Sequence, residues 1–214
     1  MSEATEKEER APHSATHTAH GEAQRQALAG AAYQIIAESG FEGLRTRDVA
    51  ERVGVNIATL HYYFATKEDL VRGVVQLLTR EFETFHAPDQ PPLEEMSPRD
   101  ALRSELEEVR YQIKARPDTY IVLFELYMRS LRDPRIRQML RDLDARWREH
   151  LESFLIAGVD TRDFPPDLDI HTTSAVLIAF SKGMAMQLLS DPDSVPVQSV
   201  SDEIARLTAT RDSA

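Results

Sequence analysis

The sequence predicts an all-α chain. Three observations carry that expectation. Apolar residues recur at the i, i+3, i+4, i+7 spacing of a buried helical stripe in one segment after another, and no stretch makes a convincing β-strand. Cap residues and prolines stand where helices begin, as in Ser97-Pro98 and Asp133-Pro134. Glycines stand where helices end or turn, at Gly40 and Gly54.

The first 21 residues are rich in Glu, Ala, Thr and His and lack apolar periodicity, which predicts a disordered tail over 1–21. His13, His17 and His20 lie there with nothing to fix ligand geometry, so no metal site is expected. From Glu22 the pattern turns helical, with Leu28, Ala31, Ala32, Ile35 and Ile36 forming a stripe that Gly40 is placed to end. Thr46 is expected to cap a second helix with Val49, Ala50 and Val53 inward, and Asn56 a third, Ile57–Tyr63. Thr66 and Asp69 resemble a capping box at the start of a fourth helix, whose apolar positions are Leu70, Val74, Leu77, Leu78, Phe82 and Phe85.

Four prolines mark Ala87–Pro98 as a loop. The next helix has the stripe Leu102, Leu106, Val109 and Ile113. Thr119–Arg132 is apolar on nearly all sides, the pattern of a helix buried in the middle of a bundle. A long helix follows from Pro134 to about Ile156, then one over Asp167–Leu189, then a last one from Pro196 to near Thr210, about nine in all. The expected division is 22–68 for a first domain and 69–214 for a second.

Composition bounds the function. The 214 residues carry 42% hydrophobic and 29% charged side chains, ordinary for a soluble globular protein. No run approaches the roughly 18 apolar residues of a membrane helix, and the N-terminus lacks the apolar core of a secretory signal. The absence of cysteine removes disulfides, thiolate metal sites and cysteine nucleophiles, and fits a cytoplasmic location. Net charge is −11, which argues weakly against nucleic acid, but most of the acidity lies after residue 75. Within Phe41–Lys67, Arg45, Arg47, Arg52 and Lys67 outnumber Glu42, Asp48 and Glu51. A small cationic face on an acidic body docks on DNA in one orientation only.

That face surrounds three short helices with a glycine turn between the second and third, the outline of a helix-turn-helix. On the third helix Leu60 and Phe64 are four apart and face inward with Val53 and Val55, which turns Ile57, Thr59, His61 and Tyr62 outward. Threonine methyl, isoleucine and aromatic rings suit thymine methyls, and Thr, His and Tyr can hydrogen-bond bases or phosphates.

The run GFEGLRTRDVAERVGVNIATLHYYFATKEDL, within Gln24–Arg72, resembles the DNA-binding domain of the tetracycline-repressor (TetR) family. The resemblance implies a homodimeric regulator, usually a repressor, that binds double-stranded operator DNA with domain 22–68. Domain 69–214 would bind a small effector and dimerise through the last two helices. It also implies DNA contacts from Thr46, Arg47, Ile57, Ala58, Thr59, His61, Tyr62 and Lys67, the last as the family's phosphate-binding lysine. Asn56 stands where Ser is frequent in the family, and His61 where Tyr is frequent.

In the second domain Tyr111, Phe124, Tyr127, Met128, Trp147, Phe154, Phe180 and Met184 are candidates to line an effector pocket, or else fill the core. Glu125 and Arg129 lie four apart and are expected to pair with each other, so the expected effector is mostly apolar and not strongly ionic. Small residues Ala175, Ala179, Ser181, Gly183 and Ala185 permit close helix packing across a two-fold axis. The rival readings are an enzyme and a helical interaction module without DNA binding. Against the enzyme, the chain has no P-loop, nucleophile elbow, H-E-x-x-H or G-x-G-x-x-G, and no cofactor is expected.

Overall fold

Helix starts and stops along the chain follow local chemistry. The computed structural model describes residues 12–84 and 95–196, the side chains of 12–19 and 106 excepted. Among the described residues it has eight α-helices and no strand: α1 (Pro12–Gly43), α2 (Thr46–Val53), α3 (Ile57–Tyr63), α4 (Lys67–Thr84), α5 (Pro98–Ala115), α6 (Pro117–Ser130), α7 (Pro134–Asp160) and α8 (Ile170–Ser190). Helix α1 thus begins at Pro12, inside the segment expected as a tail. At Gly40 its backbone takes φ 70° and ψ 174°, a positive φ that glycine adopts without strain, and one more turn follows. The expected last helix near Thr210 and most of the loop Ala87–Pro98 lie outside the described residues.

Ser97, Asp133 and Asp169 cap α5, α7 and α8 by accepting from backbone N–H groups of the first turn. Thr66 and Asp69 form the reciprocal box: Asp69 N–H donates to Thr66 Oγ1 at 3.1 Å, and Thr66 N–H to Asp69 Oδ2 at 3.2 Å. Helix α2 departs from expectation. Its N-cap is Arg45 with no side-chain cap bond, and Thr46 is its first helical residue. At its other end Gly54 sits at φ 75° and closes the helix in the left-handed conformation.

The chain divides into two units, Met1–Leu77 and Leu78–Ala214. The division falls inside α4. In the first unit Leu28, Ile36, Val49, Leu60, Phe64 and Leu70 are buried together with Val74. The Phe64 ring lies where Gly73 leaves room: a Cβ there would stand 3.0 Å from ring carbons and 3.3 Å from Ala29 Cβ.

In the second unit α5, α7 and α8 share a core of Leu102, Leu151, Leu155, Phe164, Leu177 and Ile178. Helix α6 packs on α5, α7 and α8 and buries Tyr120, Val122, Leu123 and Leu126. It is not buried on all sides, as its composition suggested. Met128 is 58% exposed and Leu131, just past its end, 65%, because no described element covers the outer side of its last turn. The small residues of α8 divide between two faces. Ser181 and Ala185 are buried, whereas Val176, Ala179, Gly183 and Met186 form one exposed row.

The end of α7 is set by one close approach. Phe164 is fully buried, and its N–H donates to the Gly158 carbonyl at 2.9 Å. A Cβ on Gly158 would stand 2.0 Å from the Phe164 ring. Gly158→Ala should therefore destabilise the protein by about 1–3 kcal/mol through forced displacement of the ring. Gly30→Ala, with open space around the added carbon, should not. Urea unfolding checks both, and equal midpoints for Gly158→Ala and wild type would remove the packing role given to this contact.

Candidate functional site

Helix α3 has seven residues, too few to hold its shape by itself. It is fixed at both ends. Asn56 Oδ1 accepts from Thr59 N–H at 2.7 Å and from Thr59 Oγ1 at 3.0 Å. Leu60 and Phe64 are fully buried. With that face committed, the other residues turn out: Ile57 is 42% and Tyr62 83% exposed, and Ala58 and His61 are exposed as well. Thr59 is half-buried with its hydroxyl engaged by Asn56. The Tyr63 ring meets that of Tyr62 edge-on, centroids 5.0 Å apart, and limits how far it can swing.

The cations expected around this helix differ in their engagement. Arg52 donates to both carboxylate oxygens of Glu38 at 3.0 and 2.8 Å. Arg45 and Arg47 are exposed at the start of α2, where no side chain caps the first backbone N–H groups, and Thr46 beside them is half-buried. Lys67, the first residue of α4, lies with its Nζ 4.7 Å from the centroid of the Phe41 ring. An uncapped helix start flanked by arginine suits an anion.

The second unit contains a cavity of about 380 Å³. Its aromatic lining is Phe82 from α4, Tyr120, Phe124 and Tyr127 from α6, and Trp147 from α7. Of the expected pocket residues it brings together Phe124, Tyr127 and Trp147. Tyr111, Met128, Phe154, Phe180 and Met184 lie outside the lining, Met128 because it faces solvent and Met184 because it is packed in the core. Glu125 and Arg129, the charges weighed from the sequence, do not line it either.

The lining also includes polar residues that sequence reasoning missed. Tyr120 OH donates to Gln112 Oε1 at 3.0 Å, and Gln112 Nε2 donates to Glu108 Oε1 at 3.3 Å, all three residues being buried. Burial, reinforced by the charges of Glu108 and Glu105, raises the Tyr120 hydroxyl far above the ordinary tyrosine range. Asp144 accepts from Tyr127 OH and, at 2.8 Å on each oxygen, from Lys182 Nζ. Burial first, then the bond to Asp144 and its charge, push the Tyr127 hydroxyl up in the same way. Both phenols are thus neutral donors at physiological pH. The available signal was the placement of Glu105, Glu108 and Gln112 at i, i+3, i+7 beside the apolar stripe of α5.

His150, at the rim, contacts Glu105 Oε1 at 2.9 Å through Nε2. The bond to Glu105 raises its pKa, against a smaller opposing effect of burial. A raised folded value means the pair stabilises the fold fully below the unfolded histidine pKa of about 6.5, and loses that contribution as pH rises through the folded value. An NMR titration should give His150 a pKa above about 6.5 that Glu105→Gln brings down. The stability gap between wild type and Glu105→Gln should narrow as pH rises through the folded value. A His150 pKa unmoved by Glu105→Gln would dissolve the pair.

Comparisons with known proteins agree with this arrangement of helices. The family description "Bacterial regulatory proteins, tetR family" matches residues 28–74, and "BetI-type transcriptional repressor, C-terminal" matches residues 98–211. The HTH-type transcriptional regulator BetI of Agrobacterium fabrum is 27% identical over 145 residues, 67% of this chain and 66% of BetI. The HTH-type transcriptional regulator PksA of Bacillus subtilis is 32% identical over 57 residues, 27% of this chain and 28% of PksA. The chain thus spans less than two thirds of these curated relatives. A crystal structure of a transcriptional regulator from Saccharomonospora viridis in complex with choline superposes with TM-score 0.68 at 21% identity, covering 89% of this chain and 100% of that one. With a first unit built as a helix-turn-helix and a C-terminal match that spans more than half its length, the chain belongs to the tetR family of bacterial regulatory proteins.

Proposed function

We propose that the protein is a transcriptional repressor that binds a palindromic operator as a homodimer and releases or retains it in response to a mostly apolar small molecule. The observation that carries the reading is the division of α3. Two side chains are wholly buried, and Tyr62, on the opposite face, is 83% exposed. An exposed aromatic surface on a clamped helix is wasteful unless it meets a partner. Arg47 and Lys67 at the starts of α2 and α4 supply the cations for phosphates on either side of it. The protein acts by binding rather than by catalysis, in the cytoplasm where its operator lies. No helix among the described residues is long and apolar enough to cross a membrane.

The homodimer reading is supported by the exposed row on α8. Val176 is 60% and Met186 45% exposed, and Gly183 has nothing within 4 Å of where a Cβ would lie. An exposed apolar row with small residues at Ala179 and Gly183 suits a second copy of the same helix. The effector reading is supported by the cavity and by the family's named relatives. Helix α4 supplies a route for coupling, since Lys67 is its first residue while Thr79, Phe82 and Glu83 line the cavity. A coupling of about 1–3 kcal/mol suffices to switch occupancy.

Operator binding is tested by titration against an inverted repeat at several salt concentrations, the two recognition helices entering major grooves about 34–36 Å apart or a multiple of that. Tyr62→Ala should cost roughly 1–3 kcal/mol of operator affinity with little change in thermal stability, because the ring is exposed. Lys67→Ala should weaken binding to all sequences and reduce the salt slope by about 1 per subunit. An unchanged slope would take the phosphate from Lys67. For the dimer, Gly183→Glu should give a monomer by light scattering at micromolar concentration, and wild type a dimer. A monomeric wild type would end the two-fold reading.

A further inference from the structure

Lys67 stands at the wrong end of its helix. It is the first residue of α4, where the backbone dipole presents partial positive charge and disfavours a cation. The acids favoured there follow it as Glu68 and Asp69. Asp69 is committed to Thr66 and to Arg72, whose Nη1 donates to Asp69 Oδ1 at 2.9 Å. Lys67 is also half-buried, and burial costs a charged group its hydration. Neither placement helps the fold, so the ammonium needs compensation from another part of the first unit.

Phe41 supplies it. The non-helical angles at Gly40, φ 70° and ψ 174°, kink α1 just before this residue. Phe41 is 7% exposed, and its ring centroid lies 4.7 Å from Lys67 Nζ. A ring face attracts a cation through its quadrupole, more strongly where water is partly excluded. Arg52 shows the alternative. Both its terminal nitrogens donate to Glu38, and that carboxylate cancels its charge. An aromatic ring carries no net charge, so it fixes an ammonium without neutralising it. Lysine is also among the side chains that lose most rotamer freedom when they are fixed. A ring that holds it beforehand removes part of that cost from binding.

We infer that Phe41 is a positioning residue for operator binding: its ring holds the Lys67 ammonium in place for a phosphate without cancelling its charge. This rests on the reading of Lys67 as a phosphate contact and adds a second residue to it, one that acts through Lys67 and touches no DNA itself. It also gives the kink at Gly40 a role beyond ending α1, since the kink directly precedes the residue whose ring meets the start of α4.

The test is a double-mutant cycle on the full-length protein, read as affinity for a labelled DNA duplex of mixed sequence at low salt, since a phosphate contact acts on every sequence. Phe41→Leu keeps an apolar side chain and removes the ring. It should weaken binding by about tenfold, a factor of about three from each of two subunits on the DNA. In a Lys67→Ala background the same change should alter affinity by less than about twofold. Phe41→Tyr keeps the ring face and should stay within about twofold of wild type. Pentafluorophenylalanine at position 41 keeps the ring's shape and reverses its quadrupole. It should bind DNA as weakly as Phe41→Leu, and it carries the test if the leucine variant folds poorly. An equal loss with and without Lys67 makes Phe41 a packing residue and overturns the inference, while Lys67 keeps its phosphate. Wild-type affinity in Phe41→Leu overturns it in the same way. No loss from Lys67→Ala by itself removes the phosphate contact on which the inference stands.

Discussion

The burial of Phe64 and Leu60 is the constraint from which the first unit follows. A helix of seven residues does not pay its nucleation cost in water, so α3 exists only because two large side chains lock it to the unit's core. Leu60 and Phe64 have no measurable exposure. Gly73 and Ala29 leave the space that the Phe64 ring fills, and the Arg25 guanidinium stands 5.1 Å from its centroid. Asn56 then satisfies the helix start and Gly54 reverses the chain before it. Every outward feature of α3 is a by-product of that anchoring. Once Leu60 and Phe64 are committed inward, rotation by 100° per residue places Tyr62 opposite them and His61 to the side, while Ile57, three residues before Leu60, sits at the edge of the buried face in the first turn and is 42% exposed.

The second unit solves a different problem. Its helices enclose polar groups as well as apolar ones, and those groups tie elements together across the bundle. Asp144 of α7 is the clearest case, since it receives a hydrogen bond from Tyr127 of α6 and two from Lys182 of α8. Lys182 also stands 4.4 Å from the centroid of the Tyr127 ring. Such a node fixes the relative rotation of three helices more sharply than apolar packing does, because each bond has a preferred distance and direction. It also keeps Asp144 from lying uncompensated in an apolar cavity. The apolar cluster around Phe164 carries the bulk of the stabilisation between α5, α7 and α8, where full burial of a side chain of this size is worth about 1.5–3 kcal/mol.

The two roles proposed for the chain, operator binding and effector response, both involve helix α4. Helix α4 begins at Lys67, close after α3 in sequence, and its last turns reach the cavity at Thr79, Phe82 and Glu83. Helix α8 has a comparable double role. It holds Lys182 at the cavity and displays Val176, Gly183 and Met186 to its outside, so a change in the cavity lies next to the face proposed for a second subunit.

The sequence by itself determined the helices, their caps and the division of α3, because those are decided by neighbours a few residues away. Asn56, Ser97 and Asp133 act on N–H groups two or three positions on, and the 3.6-residue period assigns Leu60 and Phe64 to one face. Even so, Thr46 proved to be inside α2 rather than its cap, since Ser and Thr serve at either place and only the backbone angles decide. The cavity was another matter. Its lining comes from residues spread between Thr79 and Lys182 on α4 to α8, and no local period relates them. Phe124, Tyr127 and Trp147 were legible as large apolar side chains, but so were Met128, which lies in solvent, and Met184, which fills the core. Only the way α6, α7 and α8 roll against their neighbours separates these cases. The same holds for Glu105 and Glu108. Their spacing placed them on one side of α5, and only packing turned that side toward an enclosed, aromatic space.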